Sequence, residues 1–196
     1  MKPLVRYLQS LATLLVLFVA LTGAARAADL SQAVILVASE RLTGSPFEQT
    51  VILAAPLPQG GHVGFVVNRP TRVKLETLFP EQASTHNVVD PVYAGGPMMP
   101  GAVFAVTRKA PESAAGNVFL SMMPGLVVVV DSETVDQIIE TTPNEARYFV
   151  GLMVWAPDEL DEQIDQGAWD VRPADVDTVL PSTSRGLWKS LSGTMV

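Results

Sequence analysis

Apolar residues run along this chain in short bursts broken by proline, glycine and polar clusters, a pattern that builds sheets rather than helix bundles. Residues 32–39 (QAVILVAS) and 49–55 (QTVILAA) are nearly continuous aliphatic runs. Strands covered on both faces read this way, because neither face needs polar side chains. Residues 61–68 (GHVGFVVN) alternate instead, with Val63, Phe65 and Val67 on one side, and the run stops at Pro70, which cannot donate to a ladder. The connection PLPQGG is short enough to make the second and third runs an antiparallel hairpin.

Further strands are predicted over 101–107, 117–121, 125–130 and 147–155, the last being the longest late apolar run and the central one. The MMPG turn joins 117–121 to 125–130, and 108–116 reads as a polar loop. Helical spacing is rarer. Leu75, Leu78 and Phe79 predict a short turn or helix, and the polar stretch 81–90 after them is irregular. Asp131 or Ser132 caps a helix to about residue 141 with Val135, Ile138 and Ile139 on one face. Pro157 is expected to open another at its favoured first position, with Leu160 and Ile164 as the apolar stripe and Gly167 at the C-terminal end. Trp169, RPAD and a short amphipathic tail ending in Leu187, Trp188 and Leu191 follow.

The first segment follows different rules. Lys2 and Arg6 precede an apolar run, residues 11–21, too short to span a bilayer, and Ala25-Arg26-Ala27 forms an AxA site. This predicts a secretory signal peptide, residues 1–27, followed by a single domain, residues 28–196, that is periplasmic or secreted. An uncleaved N-terminal anchor is the competing reading, and no later run approaches membrane length. The leader carries three basic residues and no acid, so its removal takes the formal charge from −7 to −10. A domain this acidic repels phosphate backbones and anionic lipid, which disfavours nucleic acid as a partner. With 0 cysteines, disulfides, thiol catalysis and cysteine-ligated zinc are excluded. No cofactor is implied.

Candidate chemistry concentrates at one corner. Asn68 suits a strand end, where its amide bonds nearby backbone, and Arg69 before a proline is held extended with its guanidinium outward. Gly95 and Gly96 let backbone approach closely and adopt positive φ. Together Asn68, Arg69, Gly95 and Gly96 are the candidate ligand-binding residues: a planar fork for a carboxylate or phosphate, with backbone N–H groups beside it. The structural alternative is that they fix strand ends and loops.

Other features are weaker. His62 as a base lacks a recognisable nucleophile, and no GxSxG elbow occurs. The acids Asp158, Asp161, Glu162 and Asp165 offer oxygen ligands for Ca²⁺, but a straight helix face cannot wrap an ion. Met98 with Met99, and Met122 with Met123, are soft thioether pairs suited to Cu(I), or apolar filler beside proline turns. Trp155, Trp169 and Trp188 read as packing anchors.

In order, ILVASERLTGSPFEQTVIL, GHVGFVVNRP, YAGGP, GLVVVVDS, GLMVWAPDELDEQI and GAWDVRPAD resemble the YqgE/AlgH family of bacterial proteins across the expected mature chain. That resemblance implies an α/β (α+β) domain whose mixed, mostly antiparallel sheet bends into a pseudo-barrel with helices packed outside. It implies no catalytic residue set, and members carry the label of transcriptional regulators. The expected function is a non-catalytic binding or regulatory domain of the cell envelope, engaging an unknown protein or small molecule. The alternatives are a hydrolase-type enzyme using the Asn68/Arg69 and Gly95/Gly96 corner, and a transcriptional regulator.

Overall fold

A computed structural model describes residues 29–109, 119–181 and 184–193. The predicted leader, most of the 108–116 loop and the start of the 117–121 strand lie outside the described residues. Nine strands are described: β1 (Val34–Ala38), β2 (Val51–Pro56), β3 (His62–Val66), β4 (Tyr93–Ala94), β5 (Met98–Thr107), β6 (Phe119–Met123), β7 (Leu126–Val129), β8 (Ala146–Trp155) and β9 (Trp169–Pro173). They form one sheet in the order β6-β7-β5-β8-β3-β2-β1-β9, with β4 joined in parallel to β8 and every other pairing antiparallel. The sheet curls into a half-barrel.

The curl explains the continuous apolar runs. Alternate residues go to opposite faces of a strand. Ile35, Val37, Val51, Leu53, Val63, Phe65, Phe104 and Phe149 fill the concave side. Val34, Leu36, Ile52, Ala54, Met153 and Trp155 point the other way, under α3 (Glu159–Asp165), which contributes Leu160. A third cluster packs Val135, Ile138 and Ile139 of α2 (Ser132–Thr141) on Ala105, Val129 and Tyr148, with Leu75 of α1 (Leu75–Leu78) beside them. Both faces of the central strands are covered, so β1 and β2 have almost no polar positions.

Local signals set several element ends. Asp131 caps α2, its carboxylate accepting from Thr134 N at 2.8 Å. At the end of α3, Gly167 (φ 73) donates to Ile164 O and Ala168 to Gln163 O, the paired bonds of a Schellman motif. The start of that helix corrects the sequence reading. Pro157 does not open it: Asp158 stands at φ 67, which breaks helical continuity, and the helix starts at Glu159. The Glu159 carboxylate accepts from Ala156 N at 2.9 Å and holds the tight turn that replaces the expected first turn.

Candidate functional site

The corner singled out by sequence is where β3 ends, and Asn68 closes it. Its Oδ1 accepts from Val51 N at 2.8 Å and its Nδ2 donates to Gln49 O at 2.9 Å. Gln49 is one of three non-glycine residues with positive φ among those described, so the Asn68 amide pins a left-handed residue at the head of β2. Arg69 donates from Nη2 to Glu48 O at 3.0 Å.

The two motifs meet through backbone. Pro70 bridges Tyr93, Ala94 N donates to Arg69 O at 3.0 Å, and Gly95 joins both neighbouring strands: its N–H reaches Val150 O at 2.8 Å and its carbonyl accepts from Val66 N at 2.9 Å. Gly95 is therefore bonded to the strands on either side just beyond the end of β4, and Gly96 follows it before β5. A Cβ on Gly95 would lie 2.2 Å from Gly151 O and 3.2 Å from the Phe65 ring; one on Gly96 would lie 2.3 Å from Leu152 O. Neither adopts positive φ. What these positions require is close approach to β8, made possible by Gly151 at φ 70 on the facing strand.

Asn68 and Arg69 open instead onto a groove of about 740 Å³. Its far wall is Ser184 to Lys189, the entry to α5 (Leu187–Leu191), with Gly186 at φ 76 making the turn. That wall is held at two points. The Trp188 indole donates to Ala38 O at 2.8 Å, and Ser184 Oγ lies 3.3 Å from the Tyr93 hydroxyl. Beside the groove the buried Arg147 guanidinium packs over the Tyr93 ring, 4.6 Å from its centroid. It donates to Val179 O of α4 (Val176–Val179) at 3.2 Å, to Pro181 O at 2.8 Å and to the Asp90 carboxylate at 3.1 Å, while its Nε has no partner among the described residues. A buried cation held this way fixes the C-terminal segment to β8 and to the loop carrying Asp90.

Sequence reasoning missed this wall and its anchor. One signal was present: Arg147 heads the apolar run RYFVGLMVW, and a charge at that position of a central strand needs partners. The remaining candidates fall elsewhere. His62 is buried in β3 with Nε2 3.1 Å from Leu30 O. His86 lies on the surface 2.7 Å from Glu76, and its hydrogen bond, ahead of that from Lys74, holds the Glu76 carboxyl below its ordinary range. Met98 and Met99 are exposed, Met122 is buried, and the acids of α3 face solvent. Among the described residues no three His, Cys, Asp or Glu side chains gather to hold a metal ion. Trp155 and Trp169 both donate to Gln163 Oε1, at 3.1 and 2.9 Å, and knit α3 to the sheet.

A half-barrel of mostly antiparallel strands, carrying helices on its outer face and a C-terminal helix across one open corner, defines the structural class. The chain belongs to the AlgH-like family, whose model matches residues 35–195. It is 28% identical over 158 residues to a UPF0301 protein of Chlorobium phaeobacteroides, covering 79% of this chain and 81% of that one. Identity to a UPF0301 protein of Chlorobaculum parvum is 30% over 159 residues, with the same coverage of 79% and 81%. The solution structure of the AlgH protein from Pseudomonas aeruginosa superimposes with a TM-score of 0.68 at 21% identity, covering 84% of this chain and 87% of that chain. The crystal structure of DIP2367 from Corynebacterium diphtheriae gives 0.66 at 24%, covering 84% and 88%. These structures establish the shared fold, and the family is one of uncharacterised function.

Proposed function

We propose that this chain is an exported binding domain of the cell envelope, engaging a partner protein or small ligand through the groove beside Arg69. The observation that carries the reading is the groove itself. Its volume of about 740 Å³ falls within the ~300–1,000 Å³ typical of ligand pockets. It is walled by two segments far apart in sequence that are bonded into place. The hydrogen-bonding groups around it are arranged for holding rather than transforming: Ser184 faces Tyr93, Asp90 is paired with Arg147, and the described lining includes no histidine. The leader pattern at residues 1–27 supports export.

Two measurements test this together. Fractionation with N-terminal mass analysis should find the chain in the envelope fraction, beginning after Ala27. Tagged native protein recovered from that fraction should bring down a partner that Arg69→Ala loses. Turnover of ester, phosphate or peptide substrates by the wild type, abolished in Arg69→Ala, would replace the reading with a hydrolase. An intact leader on a cytosolic protein would favour the regulator.

A further inference from the structure

The groove holds charges of both signs, but they differ in what they already touch. Glu48 accepts from Gly44 N at 2.8 Å, and Asp90 is paired with Arg147 at 3.1 Å. Both carboxylates therefore have partners within the protein. The cations contrast with them. Arg69 uses one N–H on Glu48 O, and of the five donors a guanidinium carries the other four have no protein partner among the described residues. Lys189, across the groove on α5, has an exposed ammonium with no such partner at all. Arg185 adds a third positive charge to the lining. In a chain of net charge −7, a corner whose acids are engaged while Arg69 and Lys189 keep open donors is biased towards an anion.

Trp188 adds an apolar surface between the cations. Its indole N–H is committed to Ala38 O, so what its half-buried ring offers the groove is apolar contact. We infer that the groove takes an organic anion, a carboxylate or phosphate monoester held by Arg69 and Lys189, with an apolar body against Trp188; this deepens, and rests on, the reading of the groove as the binding site. A guanidinium fork suits either head group through paired N–H···O bonds, and an ammonium adds a point charge.

The experiment uses phenyl phosphate, phenylacetate and neutral benzyl alcohol as probes sharing one aromatic body. Each is titrated into the protein as its host processes it, and the backbone amide shifts of Arg69, Gly186 and Lys189 are followed. At least one anion should saturate these shifts at a concentration tenfold or more below benzyl alcohol, and the better anion identifies the head group. Lys189→Gln should weaken that anion about tenfold and leave benzyl alcohol unchanged. Lys189 is exposed and its side chain makes no hydrogen bond or ion pair among the described residues, so this variant separates charge from stability; Arg69→Gln, which also loses the Glu48 contact, should act in the same direction. Equal binding of the neutral probe, or an anion indifferent to Lys189→Gln, overturns the anion assignment while leaving a binding groove. Silence at these amides for every probe also overturns it, and the Arg69→Ala capture experiment then decides separately whether the groove binds anything.

Discussion

Replacing Gly95 with alanine tests whether the YAGGP segment is there for strand spacing. The added Cβ would sit 2.2 Å from Gly151 O, where ordinary contact begins near 3.4 Å, so the strands must part by about 1 Å. Gly151 has little room to yield, because a Cβ built on it would itself lie 2.3 Å from Gly96 O and 2.9 Å from Met98 O. A shift of that size away from β8 takes the 2.8 Å bond to Val150 O out of range. Overpacking costs about 1–3 kcal/mol and the lost backbone bond adds about 1 kcal/mol, for an expected loss of roughly 2–4 kcal/mol. Against the ~5–15 kcal/mol that holds a typical domain folded, this is a large fraction. Urea unfolding followed by circular dichroism reads it as a lower midpoint at unchanged slope. A loss below about 1 kcal/mol would refute the argument, and would show that Gly95 is there for something other than strand spacing.

Three further outcomes follow from the same geometry. Gln163→Leu leaves two buried indole N–H groups without an acceptor and should cost about 2–5 kcal/mol; an unchanged urea midpoint would mean that neither bond matters. Asp131→Ala removes the carboxylate that accepts from the Thr134 N–H and hydroxyl, and should cost about 1 kcal/mol, with faster amide exchange in the first turn of α2. Burial pushes the Tyr148 phenol above its ordinary value of 10.0, so the folded state holds that proton where the unfolded chain releases it. Stability should therefore be unaffected below about pH 10 and fall above it, by about 1.4 kcal/mol per unit at most, and Tyr148→Phe should flatten that alkaline limb.

The legible parts of this fold are those where sequence pattern and burial coincide. β1, β2 and β8 announce themselves because both faces are covered, and α2 because an acidic cap precedes three spaced aliphatics. β9 was not legible. WDVRP has no apolar run, and it is a strand because β1 offers an edge to pair with, from Val34 opposite Pro173 to Ala38 opposite Trp169. The start of β5 was hidden for a related reason: Pro97 and Pro100 discourage a strand, and the ladder tolerates them by an irregularity between Met98 and Val103. At the site, Asn68 and Arg69 could be placed because a strand end is a local event. The surface that Gly95 and Gly96 approach belongs to β8, some fifty residues later, and the opposite wall belongs to α5, which no local pattern connects with β3.

The Trp188 indole bonded to Ala38 O closes a span of 150 residues, joining β1 to α5. The nine strands pair with one another without α5, whereas the groove has no far wall unless α5 is in place. A cut before residue 184 would remove the far wall of the groove, and with it the recess in which the proposed ligand would sit.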